Sequence, residues 1–264
     1  LRVLGCHDGY QWLMQGDIAH VEEREIAALS RIYFDGGSIL GTSRANPAKG
    51  PETLRKVGES LERLGISDLL TIGGDDTASG AAAVAPTVPG RLAVAHVPKT
   101  IDNDLPLPAG IPTFGFTTAV EVGKELVHNL MTEAATTDKW LFVTIMGRHA
   151  GHLSLGIGSA AGATLTVIGE EFGEGPVALD SIADILEGAI IKRRAHGREY
   201  GVALVAEGLI ERLDPGALGP TERDPYGNVS LAELELSRLL KERVSGSLKA
   251  RGIQLALPQE QLRV

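Results

Sequence analysis

The chain alternates short apolar runs with segments of helical period, and this alternation limits its fold more than any other feature. Apolar runs are typical of buried strands, whereas leucine and valine at helical spacing, as in residues 51–64, indicate an amphipathic helix. Strands are predicted at residues 2–5, 69–72, 92–97, 140–146, 163–169 and 202–206, and helices within residues 18–30 and at residues 51–64, 77–84, 116–134, 152–161 and 180–194. This order predicts an α/β fold with doubly wound parallel sheets.

The last part of the chain differs from this pattern. Residues 209–229 are rich in proline, glycine and charged residues, which predicts a loop. Ser230 follows at the position of a helix cap, and Glu233 three residues later completes the pattern of a capping box. We therefore expect a final helix that begins after Ser230.

Composition excludes several classes of protein. A length of 264 residues is enough for one large domain or two modest ones. The net charge of −9 argues against a nucleic-acid-binding surface, and no apolar run reaches the roughly 18 residues of a membrane span. The single cysteine, Cys6, excludes an intramolecular disulfide and is expected to be a buried apolar residue. Since no signal peptide is visible either, we expect a cytoplasmic protein.

Two polar motifs follow consecutive predicted strands. The first is GGDDT at residues 73–77, and the second is PKTIDND at residues 98–104. Together they place carboxylates, glycines, a lysine and threonine hydroxyls at the carboxyl ends of two strands, where open parallel sheets bind their ligands. These residue types suit a site that holds a metal polyphosphate and takes a proton from an attacking hydroxyl.

Phosphoryl transfer needs positioning and charge neutralisation from the protein, and each motif offers suitable groups. Glycines let backbone N–H groups approach phosphate oxygens, Asp75 is a suitable Mg²⁺ ligand, and Asp102 is placed to act as a general base. Taken singly, the first motif also fits a capped strand-to-helix turn, and the second an Asx-rich surface loop. Their occurrence behind consecutive strands favours phosphoryl transfer.

Further motifs continue the pattern along the chain. They are GTSR at residues 41–44, GFTTA at 115–119, MGR at 146–148 and AEG at 206–208. With these motifs in this order, the chain resembles the phosphofructokinase family from about residue 7 to residue 208. The resemblance implies two Rossmann-like lobes with the active site between them, a donor lobe at residues 1–110 and a sugar-phosphate lobe at residues 111–264.

The resemblance also implies roles for individual residues. Catalysis is expected from Asp102 and Arg148, and Mg²⁺ binding from Asp75. Contacts to fructose 6-phosphate are expected from Thr100, Asp104, Lys139, Met146, Gly147, Arg148 and Glu207, and contacts to the phosphoryl donor from Arg44, Gly74, Asp76 and Lys99. Relatives often carry, at the position of Lys139, an arginine that reaches into the neighbouring subunit, so a homodimer or homotetramer is expected.

Two positions bear on the identity of the donor. Family members that use ATP usually carry glycine in place of Asp76 and of Lys99. A carboxylate at position 76 would obstruct and repel the α-phosphate of a nucleotide, whereas the ammonium of Lys99 suits a phosphate. The pair resembles the pyrophosphate-dependent branch of the family, and Asp76 is the stronger discriminator because some ATP users also carry the lysine.

The chain departs from the family pattern at both ends. Its first predicted strand resembles the family's second strand, without the opening strand and its glycine-rich phosphate loop. The histidine and arginine that usually grip the sugar phosphate have no counterpart before Val264. Three alternatives therefore stay open, namely an ATP-dependent 6-phosphofructokinase, another kinase with a GGD turn such as an NAD or lipid kinase, and a non-catalytic sugar-phosphate-binding subunit or inactive fragment.

Overall fold

The computed structural model describes residues 2–88, 90, 92–214, 236–256 and 262–263, and confirms the alternation of strands and helices. The strands are β1 (Leu4–Cys6), β2 (Val21–Glu23), β3 (Asp68–Gly73), β4 (Ala93–Thr100), β5 (Phe114–Gly115), β6 (Trp140–Ile145), β7 (Leu165–Val167), β8 (Gly201–Ala206) and β9 (Leu262–Arg263). The α-helices are α1 (Pro51–Arg63), α2 (Asp75–Val84), α3 (Phe116–Thr137), α4 (His152–Ala161), α5 (Leu179–Ala195), α6 (Leu209–Arg212) and α7 (Leu236–Ala250).

The chain packs as two compact units, Leu1–Lys99 and Thr100–Val264. In the first unit β3 and β4 are parallel neighbours, and β1 and β2 form an antiparallel pair. Apolar side chains of α1 and α2 pack on one face of the β3–β4 pair. The buried core of this unit consists of Tyr10, Leu13, Val57, Leu61, Val84, Val88 and Leu92.

The second unit contains a parallel sheet in the order β7-β8-β6-β9. Successive side chains of a strand point to opposite faces, so each strand contributes to two cores. Leu141, Val143 and Ile145 pack with α3 and α4 on one face, whereas Trp140 and Phe142 pack with α5 and α7 on the other. Every residue of β6 and β8 is buried, as expected for central parallel strands covered by helices on both sides. The predicted doubly wound α/β architecture is therefore confirmed here.

Four local predictions differ from the structure. Residues 18–30 contain β2 and a 3₁₀ turn at Ile26–Leu29 instead of an α-helix. Helix α2 begins at Asp75 instead of residue 77, and β4 continues to Thr100. The predicted loop at 209–229 begins with the helical turn α6. Leu209 and Ile210 are buried in the core that β6 and β8 form with α5 and α7. This burial explains why a chain segment of loop-like composition still forms a turn of helix there.

Some predictions lie beyond what the structure describes. The cap at Ser230 and the capping-box residue Glu233 fall outside the described residues. The division into a donor lobe ending at residue 110 and a sugar-phosphate lobe beginning at residue 111 remains a prediction. Among the described helices, none combines the length and apolar character needed to cross a membrane.

Candidate active site

The first unit brings the beginnings of two predicted motifs to one edge of its sheet. The parallel register places Gly73 opposite Pro98, so the GGDDT and PKTIDND runs leave neighbouring strands side by side. The backbone at Gly74 turns directly from β3 into α2, and a side chain built on Gly74 would meet no other atom within 4 Å. The open space above Gly74 leaves the start of α2 accessible to a ligand.

Both aspartates of the GGDDT run lie in the first turn of α2 and are exposed. The four N–H groups at a helix start have no partners within the helix, and the helix dipole favours negative charge there. Asp75 and Asp76 are therefore stabilised by the helix that they begin. Thr77 packs its side chain against Gly73, where any larger residue would overlap it, so the turn between β3 and α2 is tightly closed.

The surroundings of Asp75 fit a metal ligand. Its carboxylate is exposed in the first turn of α2, two residues after β3 ends, and within the described residues it makes no hydrogen bond or ion pair with another side chain. Mg²⁺ is usually held by one or two carboxylates together with substrate phosphates and water. The described part of the chain contains no group of three or more His, Cys, Asp or Glu side chains placed to hold a metal.

Asp76 has a partner that the sequence did not reveal. The side-chain amide of Asn46 donates to Asp76 Oδ1 over 2.9 Å. Asn46 is 8% exposed and precedes the 3₁₀ turn Pro47–Lys49, whose Ala48 N–H donates to Asn46 Oδ1. The segment that carries Arg44, two residues earlier, is thereby fixed beside the start of α2. Arg44 itself is exposed, as is Lys99 at the end of β4.

A second edge lies in the other unit, where β6 and β8 end together. Ile145 is opposite Ala206, so the MGR and AEG motifs leave adjacent strands. The N–H of Glu207 donates to the carbonyl of Ile145 over 2.9 Å, and the N–H of Gly208 donates to the carbonyl of Gly147 over 3.0 Å. These backbone bonds join the two motifs as one surface. Gly147 has a φ of 131°, a conformation that favours glycine.

Gly208 offers a test of this close contact. Its φ of −60° suits any residue, but an added Cβ would overlap the carbonyl oxygen of Arg148. Because backbone cannot rotate away, we expect Gly208→Ala to lower the free energy of unfolding by roughly 1–3 kcal/mol, the usual cost of overpacking. The measurement is urea unfolding. The control is Gly188→Ala, on the exposed side of α5 with open space around it, which should raise stability by about 0.5–1 kcal/mol. Equal effects of both substitutions would contradict the packing.

The side chains of this surface differ in burial. Glu207 is 5% exposed, whereas Met146 is exposed and Arg148 is intermediate. Arg148 Nε lies 3.8 Å from Glu211 Oε1 on α6, and His149 Nδ1 lies 3.8 Å from the other oxygen of the same carboxylate. The surface therefore combines a guanidinium, a buried carboxylate and backbone groups at one sheet edge, a suitable set for binding a sugar phosphate.

The loop after β4 is held by a network of hydrogen bonds. Asp102 N–H donates to Thr100 Oγ1 over 3.1 Å, and Thr113 donates from its hydroxyl to the carbonyl of Thr100 over 2.7 Å. Asn103 adopts a φ of 53°, and its Oδ1 accepts from Thr113 N–H over 2.9 Å. His152, the first residue of α4, donates from Nδ1 to the carbonyl of Asn103 over 2.7 Å. The position of Asp102 is thus fixed by its neighbours.

Lys139 is a predicted sugar-binding residue that lies apart from the MGR motif in the second unit. It directly precedes β6, at the opposite end of the strand from Met146 and Arg148. A strand rises about 3.3 Å per residue, so roughly 20 Å separate the two ends. Lys139 therefore does not join the MGR surface of its own chain. Asp104, by contrast, lies in the same loop as Asp102.

Comparison with known proteins gives a consistent result. The family model described as phosphofructokinase matches residues 1–254. A Thermotoga maritima protein named pyrophosphate–fructose 6-phosphate 1-phosphotransferase is 51% identical over 96% of this chain and 61% of its own length. A Naegleria fowleri protein of the same name is 44% identical over 99% of this chain and 62% of its own length. Proteins named ATP-dependent 6-phosphofructokinase also match, at 32–35% identity.

Solved structures agree on the fold. Phosphofructokinase from Saccharomyces cerevisiae superimposes with a TM-score of 0.70 at 24% identity, over 100% of this chain and 34% of that chain. This likeness establishes the fold alone. The chain spans about three fifths of the length of the two relatives above, at 61% and 62%.

Proposed function

The chain belongs to the phosphofructokinase family, and we propose that it transfers a phosphoryl group from pyrophosphate to the 1-hydroxyl of fructose 6-phosphate. The product is fructose 1,6-bisphosphate. Relatives named for this reaction match nearly the whole chain at 51% and 44% identity, which supports the assignment. Since the chain spans only part of those relatives, its reaction is our proposal.

The observation that carries the proposal is the fixed loop around Asp102. A general base must stand within hydrogen-bond reach of the hydroxyl that it activates, and its position must be defined. Thr113 donates to Asn103 Oδ1 and to the carbonyl of Thr100, and His152 donates to the carbonyl of Asn103, so the backbone on both sides of Asp102 is fixed. In the proposed step, Asp102 accepts the proton of the 1-hydroxyl, and the oxygen of that hydroxyl bonds to a phosphorus of pyrophosphate. The bridging P–O bond breaks, and phosphate leaves.

We assign acceptor binding to the loop and to the surface built from the MGR and AEG motifs. Arg148 contributes a charge-assisted hydrogen bond to the sugar phosphate and stabilises the transferred group. Glu207 accepts hydrogen bonds from sugar hydroxyls, as a buried carboxylate does most effectively. Met146 and Gly147 shape the surface, and Thr100 and Asp104 border the hydroxyl that reacts.

We assign donor binding to the start of α2 and the end of β4. Gly74 leaves the helix start open to phosphate oxygens, and Lys99 and Arg44 supply positive charge. Asp75 would hold Mg²⁺ directly or through water, and Mg²⁺ would neutralise charge on the pyrophosphate. Asp76 occupies the position at which we expect a nucleotide to be rejected.

A coupled assay of fructose 1,6-bisphosphate formation tests this function. It is run with pyrophosphate-Mg²⁺ and with ATP-Mg²⁺, both on residues 1–264 and on the protein with its natural termini. Preference for pyrophosphate supports the proposal, and preference for ATP identifies an ATP-dependent 6-phosphofructokinase. Binding of fructose 6-phosphate without turnover in both forms would identify a non-catalytic sugar-phosphate-binding subunit. Phosphorylation of NAD or diacylglycerol in place of the sugar would identify another kinase.

The assignment of Asp75 gives a separate prediction. Asp75→Ser should lose most of the turnover, because Mg²⁺ would lose a carboxylate ligand, while the affinity for fructose 6-phosphate changes little. Steady-state kinetics at several Mg²⁺ concentrations and calorimetric binding of the sugar phosphate measure the two effects. The matched control is Asp68→Ser, an exposed aspartate at the opposite end of β3. Loss of sugar affinity with normal turnover in Asp75→Ser would instead place Asp75 at the sugar.

Assembly and location complete the proposal. We propose a cytoplasmic homodimer or homotetramer in which Lys139 reaches the sugar phosphate of a neighbouring subunit, because within its own unit it stands at the far end of β6 from Arg148. Light scattering after size-exclusion chromatography measures the assembly. A monomer that retained full activity would remove Lys139 from the sugar site.

A further inference from the structure

We infer that Asn46 is a positioning residue that fixes the carboxylate of Asp76 and thereby sets much of the preference for pyrophosphate over ATP. This inference rests on the proposed function, because it concerns a residue that acts through the donor site. The sequence motifs did not include Asn46. The structure places its amide within hydrogen-bond distance of Asp76.

The orientation of the Asn46 amide is determined by its surroundings. The backbone N–H of Ala48 donates to Oδ1 of Asn46 over 2.9 Å, so that end of the amide must be the oxygen. The other end, Nδ2, therefore points to Asp76 and donates to its Oδ1 over 2.9 Å. Because Asn46 is only 8% exposed, neither end exchanges readily with water. The amide is a fixed donor aimed at one carboxylate oxygen.

Helix α2 leaves room for Asn46 because residue 80 is a glycine. Gly80 lies one turn after Asp76 on the same face of α2. A Cβ on Gly80 would lie 3.1 Å from Pro47 Cδ and 3.4 Å from Asn46 Oδ1. The absence of a side chain at position 80 thus lets residues 46 and 47 lie directly on α2. This close packing brings the amide within reach of Asp76 and holds it there.

Fixing Asp76 has a consequence for donor selection. Asp76 is exposed, so its side chain alone would exchange between rotamers in solvent. A hydrogen bond to a charged acceptor from a buried donor favours one rotamer strongly. A carboxylate held in one position opposes a nucleotide phosphate continuously, whereas a mobile carboxylate can turn into solvent when ATP binds. The amide of Asn46 therefore holds the negative charge of Asp76 in the position where it repels a nucleotide phosphate.

Asn46→Ser separates this role from folding. Serine retains a side-chain oxygen that can accept from Ala48 N–H, and it is as good a cap as asparagine, but it is too short to reach Asp76. The ratio of Kd for ATP-Mg²⁺ to Kd for pyrophosphate-Mg²⁺, measured by calorimetry on the protein with its natural termini, should fall about tenfold. The fall should come mainly from tighter binding of ATP.

A double-mutant cycle with Asp76→Gly tests whether Asn46 changes the Kd ratio through Asp76. Without the carboxylate, Asn46 has nothing to position, so Asn46→Ser in the Asp76→Gly background should change the ratio less than twofold. A similar tenfold change in both backgrounds would mean that Asn46 acts independently of Asp76 and would overturn the inference. An unchanged ratio in the Asn46→Ser single variant, with a wild-type preference for pyrophosphate, would overturn it while leaving the proposed function intact.

A spectroscopic measurement tests the contact without any donor. In ¹⁵N-labelled protein, a side-chain amide proton of Asn46 should exchange slowly with solvent in the wild type and lose that protection in Asp76→Gly. Equal exchange in the two proteins would overturn the inference. If the wild type bound ATP as tightly as pyrophosphate, the proposed donor would be wrong and the selectivity attributed to Asn46 would be wrong with it.

Discussion

Asp102→Ser is expected to lower kcat by at least about 10²–10⁴-fold, the usual contribution of a general base. The 1-hydroxyl of fructose 6-phosphate is a poor nucleophile at neutral pH, and Asp102 is the group that we assign to take its proton. The KM values for both substrates should change much less, because a proton-transfer partner acts mainly in the transition state. Steady-state kinetics in the forward direction, on the protein with its natural termini, measure both effects.

Several hydrogen bonds that hold the loop are retained in Asp102→Ser. The loop uses the backbone N–H of Asp102 to reach Thr100 Oγ1, and serine keeps that N–H. Thr113 donates from its hydroxyl to the carbonyl of Thr100, and His152 donates to the carbonyl of Asn103. None of these hydrogen bonds involves the carboxylate that the substitution removes.

Two control variants sharpen the interpretation. Asp102→Asn keeps the size of the side chain but cannot accept the proton, so it should lose kcat to a similar extent. Asp104→Ser, two residues along the same loop, should have a smaller effect because Asp104 is not assigned to proton transfer. Near-normal kcat in Asp102→Ser would remove Asp102 as the base and favour the sugar-phosphate-binding alternative.

The fold was largely accessible from the sequence because its main signals are local. The helix at residues 152–161 and the buried strands at the MGR and AEG motifs follow from apolar runs and helical periodicity, and they were predicted to within a residue or two. The predictions were wrong where tertiary packing determines the secondary structure. Residues 18–30 pair partly with β1 as a strand, and Leu209 and Ile210 are drawn into the core as a helical turn.

The candidate site was less accessible. Sequence motifs indicated which polar groups end each strand, and the parallel register explains why the paired motifs emerge together. The supporting contacts join residues far apart in the chain, such as Asn46 with Asp76 and His152 with Asn103. No local spacing signals such a pair. An asparagine directly before a proline suggests only a turn, and a histidine at a helix start indicates no particular partner, so neither contact can be predicted from the sequence.

The second large effect is expected at the donor. The double variant Asp76→Gly/Lys99→Gly should bind and use pyrophosphate roughly ten- to a hundredfold less well, because the ammonium of Lys99 is lost, and a charged hydrogen bond contributes about 1.5–3 kcal/mol. The same variant should gain measurable activity with ATP, since the carboxylate that repels the nucleotide is removed. The ratio of kcat/KM for pyrophosphate to kcat/KM for ATP should thus fall by more than the loss of pyrophosphate use or the gain of ATP use would cause alone.

The single variants assign the two contributions. Asp76 lies in the first turn of α2 and Lys99 at the end of β4, and neighbouring strands lead to both. Asp76→Gly should act mainly by admitting ATP, because glycine lets the nucleotide pass close to the backbone. Lys99→Gly should act mainly by weakening pyrophosphate, because it removes a point charge without opening the helix start. A wild-type protein that used ATP better than pyrophosphate at equal concentration would show that neither charge selects the donor.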